Sequence, residues 1–113
     1  IPGVSGGLTM KLDPTNEYER NVALGAYEPV VVAILRRTLR PGDVYVDGGT
    51  NLGALALIAA RRVGASGRVY AFEPQAAAAA RVREHVALNR ITNLTLIEKG
   101  CWDTSGPSSL YAF

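Results

Sequence analysis

The sequence lacks the features that cross-link a chain or place it in a membrane. Its 113 residues include a single cysteine, so no disulfide can form within the chain. No run approaches the roughly 20 apolar residues that a membrane-spanning helix needs. No N-terminal segment joins a charged head to an apolar core, which is the pattern of a secretory leader. These features predict a cytoplasmic protein that has no membrane partner.

The excess of one charge over the other is also small, and aromatic residues are few. Twelve basic and ten acidic residues leave a net charge of +2, and aromatic residues make up 7% of the chain. Arginine pairs at 36–37 and 61–62 fall at the ends of predicted helices, where cations favour the helix dipole. No basic block is interleaved with aromatics, as a base-stacking surface requires. The composition therefore argues against a nucleic-acid partner, and no cluster of residues has the spacing of a metal site.

Two apolar runs, each ending in an acid, dominate what is present. In residues 44–53 (VYVDGGTNLG) the run ends at Asp47 and a glycine-rich turn follows. A second run, residues 68–73, ends at Glu73, and the stretch between the two has the pattern of a helix. This order predicts a βαβ unit. Ligands of open parallel sheets bind outside the carboxyl ends of the strands, so both acids are expected at one crevice that holds a nucleoside-like cofactor.

The glycine spacing and the position of Asp47 indicate which cofactor the turn would hold. A nicotinamide-binding turn spaces its glycines as G-x-G-x-x-G so that the backbone approaches a pyrophosphate, whereas here the order is Gly49-x-Asn51-x-Gly53. Asp47 would repel a pyrophosphate but suits a ligand that carries a sulfonium and an ammonium group. S-adenosylmethionine (SAM) is such a ligand, and Glu73 would bind its ribose hydroxyls. The alternative is that the glycines serve only tight packing.

A family resemblance enters at these residues. Residues 41–53 (PGDVYVDGGTNLG) resemble the first motif of the FkbM-type methyltransferases, whose usual form is close to PGDVVVDVGANIG. Residues 67–74 are similar to the family's second-strand motif, residues 89–94 to its helix-to-third-strand connection, and residues 25–29 to the helix start before its first strand. The resemblance covers about residues 21–103. It implies a SAM-dependent methyltransferase with a Rossmann-like class I fold that methylates a small-molecule or glycan hydroxyl.

The candidate cofactor-binding residues come from this motif and this resemblance. Gly49 is expected to leave room for the amino-acid portion of the cofactor and to need a backbone angle that side chains disfavour. Gly48 and Thr50 stand where the family has valine and alanine, and Thr50 adds a hydroxyl. The resemblance implies that the backbone of residues 99–101 faces the adenine. The full predicted set is Asp47, Gly49, Thr50, Asn51, Gly53, Glu73, Pro74, Gly100 and Cys101.

Other reactive side chains are assigned lesser roles. His85, the only histidine, is expected on the surface of a helix rather than as a catalytic base. Cys101 is expected either to be a buried structural thiol or to touch the cofactor pocket. Asp103 matches the acid that commonly follows the family's third strand, and Tyr27 and Glu28 either close over the cofactor or cap a helix. No general base and no metal ligand is predicted.

The order of elements predicts an entry segment, residues 1–26, and a Rossmann-like SAM-binding domain, residues 27–113. Apolar periodicity, glycine and proline predict three parallel strands with flanking helices and a further strand near the C-terminus. The predicted strands are 8–12, 44–47, 68–73, 94–98 and 108–113, and the predicted helices are 28–39, 52–63 and 76–88. Gly64 is expected to end the second helix.

The sequence after the third strand departs from the family. The FkbM pattern continues with a fourth core strand that carries an acid-rich motif similar to KIDVEG, and no such sequence occurs here. The domain is therefore expected to be truncated before that strand, leaving an open edge on the first strand that favours association. The chain is then either the cofactor-binding part of a longer enzyme or a degenerate relative. The alternative functions are a catalytically inactive SAM-binding module and a nucleotide-dependent oxidoreductase domain, which the glycine spacing disfavours.

Overall fold

The computed structural model describes residues 8–23 and 29–100. Within these ranges the helices are α1 (Glu17–Ala23), α2 (Pro29–Thr38), α3 (Ala54–Val63) and α4 (Ala76–Leu88), and the strands are β1 (Val44–Asp47), β2 (Arg68–Phe72) and β3 (Leu94–Ile97). The predicted strand at 108–113 lies outside the described residues, as do Tyr27, Glu28, Cys101 and Asp103.

The three strands form one parallel sheet in the order β1-β2-β3. β2 is central, because Val46 of β1 and Thr95 of β3 both align with Tyr70. Parallel neighbours need a crossover connection, and α3 and α4 supply the two crossovers. The predicted α/β class with three parallel strands is confirmed. The bounds of these strands and of α2, α3 and α4 agree with the predicted ones to within two residues.

The hydrophobic core lies between the sheet and α3. Val69 and Ala71 of β2 are fully buried, and they belong to one cluster with Ala56 and Ala59 of α3. Alanine side chains at these positions let the helix lie close to the sheet without a void, so interior packing density is maintained. Leu35 of α2 belongs to the same cluster, and α2 packs against α3.

The opposite face of the sheet is much more open. Val44 and Val46 are 62% and 58% exposed, although both belong to a strand. Tyr70 and Phe72 lie on the same face of β2 and are half-buried. β1 pairs only with β2 among the described residues, so its other edge has no neighbouring strand there. The open edge expected at the first strand stays a prediction, because the predicted strand 108–113 lies outside the described residues.

The N-terminal region differs from the prediction. Residues 8–11, which we call the N-terminal strap, run beside α4 and form no strand, although residues 8–12 were expected to be one. The backbone of the strap bonds to side chains of α4 instead of to another strand, as at Thr9, whose N–H donates to Asn89 Oδ1 at 2.6 Å. Leu8 is 1% exposed and fixes the strap to the core. A period-2 pattern cannot distinguish these two kinds of partner.

Helix α1 was not predicted from the sequence. Its first turn is capped by Asn16, whose Oδ1 accepts from the Glu19 N–H at 3.1 Å, and asparagine is a favoured residue at this position.

Helix α3 ends before Gly64, as predicted. Gly64 has φ 68° and donates its N–H to the Ala60 carbonyl at 3.2 Å. Asn93 Nδ2 donates to the carbonyls of both Ala60 and Gly64, so the last turn of α3 has side-chain partners.

Candidate functional site

The glycine-rich turn is tied to the end of β2 by its backbone. The Thr50 N–H donates to the Phe72 carbonyl at 3.0 Å, and the Gly53 N–H donates back to the Thr50 carbonyl at 2.8 Å. Asn51 and Gly53 adopt positive φ angles of 52° and 89°. Such angles suit glycine and are tolerated by asparagine better than by most residues. The sequence therefore places its permissive residues where this turn requires them.

Glu73 joins the turn to the neighbouring strand. Its side chain is buried, and Oε1 accepts from the Asn51 N–H at 2.8 Å while Oε2 accepts from the Gln75 N–H at 3.1 Å. The Glu73 N–H donates to the Ile97 carbonyl of β3 at 3.0 Å, so the residue is fixed from both sides. A carboxylate has about four lone-pair sites, and two remain for a ligand. The acid thus organises the carboxyl edge of the sheet and keeps acceptor capacity there.

Gly49 leaves open space beside the turn. A Cβ placed on Gly49 would meet no atom of the described residues within 4 Å. Its φ is not among the positive angles of the described residues, so the expectation that it needs an unusual backbone angle is wrong. Asn51 and Gly53 make the tight part of the turn instead. No side chain or backbone of the described residues therefore covers Gly49 on this side.

Thr50 carries a buried hydroxyl that has no hydrogen-bond partner among the described residues. The residue is 4% exposed. A buried polar group without a partner costs about 1–3 kcal/mol. This hydroxyl therefore lowers the free energy of unfolding when no ligand bonds to it. Valine has nearly the same shape and lacks the hydroxyl.

Thr50→Val is accordingly expected to raise the free energy of unfolding by about 1 kcal/mol, because it removes the desolvated hydroxyl and keeps the methyl contacts. Urea denaturation followed by circular dichroism measures the change. Thr50→Ser is the matched control, since it keeps the hydroxyl and loses the methyl group, and it should be less stable than the native chain. A loss of stability in the valine variant would mean that the hydroxyl is bonded.

The remaining predicted residues lie around the same edge of the sheet. Asp47 ends β1 and is half-buried, aligned with Ala71 of β2. Pro74 follows Glu73 and is exposed, and a Cβ on Gly100 would lie 3.9 Å from the Pro74 ring. The structure thus brings the ends of all three strands to one side. Cys101 lies outside the described residues.

The expectation for His85 is wrong. Its side chain is completely buried, and its Nδ1 lies 2.9 Å from the Leu52 carbonyl in the glycine-rich turn. The signal was present in the helix pattern, because His85 follows the buried Ala79 and Val82 at steps of three, which is the spacing of one helix face. Asn89, four residues further on, is buried on the same face.

The described residues hold no group of three or more histidine, cysteine and acidic side chains that could bind a metal ion. None of the described helices has the length and apolarity needed to cross a membrane.

No protein-family model matches the chain, and no curated protein matches it. Solved structures do match. A protein described as an rRNA methylase from Clostridium thermocellum is 32% identical over 60% of this chain and 37% of its own, with a TM-score of 0.57. A SAM-dependent O-methyltransferase from Thermotoga maritima is 25% identical over 65% of this chain and 28% of its own, with a TM-score of 0.59.

A protein described as a methyltransferase from Streptococcus mutans, solved in complex with SAH, is 24% identical over 65% of this chain and 41% of its own, with a TM-score of 0.56. The chain therefore has the Rossmann-like fold of the class I methyltransferases. It spans between 28% and 41% of the length of these three proteins. The Thermotoga protein is described as SAM-dependent, and SAM is the cofactor predicted from the glycine spacing.

Proposed function

We propose that this chain binds SAM at the carboxyl edge of its sheet and forms the cofactor-binding part of a SAM-dependent methyltransferase. One observation carries the proposal. The buried carboxylate of Glu73 accepts at 2.8 Å from the Asn51 N–H in the turn after β1, and the same turn has open space at Gly49 among the described residues. An acid and an accessible backbone thus meet at the point where open parallel sheets bind their ligands. The likeness to two solved methylases of 32% and 25% identity supports it.

The described residues fit such a cofactor. The space beside Gly49 would receive its amino-acid portion, because no atom of residues 8–23 or 29–100 lies within 4 Å of a Cβ there. Asp47 would lie near the cationic groups, where a carboxylate is favourable and a pyrophosphate is not. Glu73 keeps acceptor sites for the two ribose hydroxyls. Pro74 and Gly100 would border the adenine end, together with Thr50, Asn51, Gly53 and Cys101 in the proposed set.

The reaction that follows is methyl transfer to an oxygen. SAM supplies an electrophilic methyl group on a sulfonium. The part of the protein described here binds and orients, and orientation of two reactants can contribute several kcal/mol to a barrier reduction. The acceptor side would belong to sequence beyond this chain, which spans about a third of the Clostridium protein. We assign no general base within the described residues.

The acceptor we propose is a small-molecule or glycan hydroxyl, as the FkbM-type resemblance implies. The likeness to an O-methyltransferase supports an oxygen acceptor, and a net charge of only +2 is low for a protein that binds RNA. Radiolabelled SAM offered with a panel of hydroxyl compounds, and with structured RNA as a separate arm, tests this in the full-length protein. Label found only in RNA would contradict the proposed acceptor.

A calorimetric titration of the full chain with SAM tests the proposal directly. SAM should bind, whereas NADH should give no measurable heat at micromolar concentration, because Asp47 opposes its pyrophosphate. An inactive SAM-binding module would show the same binding and no transfer in the full-length protein. Binding of NADH in preference to SAM would support the oxidoreductase alternative and reject ours.

Gly49→Val is expected to abolish SAM binding while leaving the fold intact. The added side chain would fill the open space, and no atom within 4 Å of its Cβ would be displaced. Circular dichroism and the unfolding midpoint should therefore match those of the native chain, while calorimetry shows no binding. Normal affinity in this variant would place the pocket elsewhere.

A further inference from the structure

The N-terminal strap is held by Arg81 and His85 of α4 and by Asn89 at the C-cap of this helix, each four residues from the next. Asn89 accepts from the Thr9 N–H at 2.6 Å and donates to the Thr9 carbonyl at 2.7 Å. His85 Nε2 accepts from the Lys11 N–H at 3.2 Å, and Arg81 donates to the Lys11 carbonyl. Helix positions four apart lie on one face. This face of α4 therefore satisfies the strap backbone in the way that a neighbouring strand would.

Arg81 also fixes the chain beyond the strap. Its guanidinium lies 2.8 Å from Glu19 Oε1, which accepts as well from the Asp13 N–H at 2.8 Å. This bond to Arg81 holds the pKa of the buried Glu19 carboxyl below its usual value, so the acid is charged at neutral pH. The strap is thus anchored at several points, and His85 is the central one.

His85 connects the strap to the cofactor turn. Its Nδ1 lies 2.9 Å from the Leu52 carbonyl, and its side chain is completely buried. A carbonyl oxygen can only accept a hydrogen bond, so Nδ1 carries the proton that Leu52 receives. Nε2 lies 3.2 Å from the Lys11 nitrogen and 3.3 Å from the Lys11 oxygen. Because Arg81 already donates to that oxygen, we assign Nε2 as the acceptor of the Lys11 N–H. The Leu52 carbonyl therefore selects this tautomer, and the strap presents the N–H that matches it.

Leu52 lies at the part of the turn that most needs support. Its neighbours Asn51 and Gly53 both have positive φ angles, and a non-glycine residue in that region costs about 1 kcal/mol or more. The contacts of the turn offset this cost. Glu73 holds the Asn51 N–H on one side, and His85 holds the Leu52 carbonyl on the other.

We propose that His85 is a positioning residue for the cofactor turn, acting through the Leu52 carbonyl and oriented by the N-terminal strap. It touches no part of the proposed ligand pocket, so its effect on the ligand is indirect. The expected effect on SAM affinity rests on the proposed function, because the turn matters for SAM only if SAM binds there. The geometry of the turn itself can be tested without a ligand.

Two substitutions separate the two bonds of His85. His85→Asn keeps a side-chain N–H near the position of Nδ1, so it retains a donor for Leu52 and loses the contact to Lys11. His85→Gln places an amide oxygen near the position of Nε2, so it retains an acceptor for Lys11 and loses the donor to Leu52. Both substitutions remove one buried hydrogen bond, and both replace a buried ring with an amide side chain. Their losses of thermal stability are therefore expected to be similar.

Calorimetry with SAM should find the affinity of His85→Gln reduced about tenfold, as expected for the loss of one buried hydrogen bond, and that of His85→Asn within about threefold of the native chain. Amide hydrogen exchange of Asn51 and Gly53, measured without SAM, should be faster in the glutamine variant than in the asparagine variant. If the native chain does not bind SAM, the proposed function fails and the exchange rates alone decide this inference. Equal exchange rates in the two variants, or equal affinities where SAM binds, would overturn it.

Discussion

Gly67→Ala is expected to destabilise the protein by about 3 kcal/mol or more, the upper range for overpacking a core. A Cβ at this position would lie 2.4 Å from Val63 Cβ and 2.6 Å from the Asp43 carbonyl. Both contacts are far inside van der Waals distance, and neither is the end of a flexible side chain. The C-terminal end of α3 and the segment that leads into β1 would have to move apart. Since whole domains are stable by roughly 5–15 kcal/mol, this single methyl group removes a large part of the total.

Urea denaturation of the full chain measures the effect, and Gly49→Ala is the matched control. That substitution adds the same methyl group into open space at a φ that is not positive, so its unfolding midpoint should stay near the native value. If Gly67→Ala leaves the midpoint unchanged, α3 and the segment that leads into β1 are farther apart in solution than in this structure.

Glu73→Ala is expected to weaken SAM binding by about 1–3 kcal/mol. The variant loses the acceptor sites proposed for the ribose and also leaves the N–H groups of Asn51 and Gln75 without their acceptor. The turn should loosen as well, so a drop in stability of similar size is expected. Glu73→Gln should fall between Glu73→Ala and the native chain in both quantities, because its single amide oxygen can keep the bond to the Asn51 N–H, whereas its NH2 group cannot accept from Gln75 and the charge is gone.

Glu98→Ala is the matched control for Glu73→Ala. Glu98 follows the neighbouring strand β3, is exposed, and pairs with Arg83 on α4. Its loss changes the net charge by the same amount and leaves the turn untouched, so SAM affinity should stay within about twofold, as expected for an exposed ion pair worth less than 1 kcal/mol. An unchanged dissociation constant in Glu73→Ala would reject the ribose assignment.

The central βαβα unit could be predicted because its signals are local. Alternating and periodic apolar residues, with Gly64 after α3, mark the elements between 44 and 97 without reference to any distant contact. The strap could not be identified in this way. Its extended shape depends on side chains of α4 that lie 74 and 80 residues away in the sequence, and no local pattern reports such a partner.

The candidate site was predicted as residue types but not as contacts. The two acids and the glycine turn follow from the sequence pattern. The bond from Glu73 to the Asn51 N–H, the unpaired Thr50 hydroxyl and the tight approach at Gly67 depend on the spacing between elements in three dimensions. His85 shows the same limit, since only the packing of α4 against the turn reveals that its ring is enclosed.

The strap also has a consequence for the order of folding. Thr9 and Asn89 close a loop of 80 residues, and the entropy lost on closing a loop grows with its length. The acceptor and donor groups that receive the strap exist in register only after α4 has formed on the sheet. We therefore expect the βαβα unit to assemble first from its local contacts, and the strap to dock last and to detach first when the protein begins to unfold.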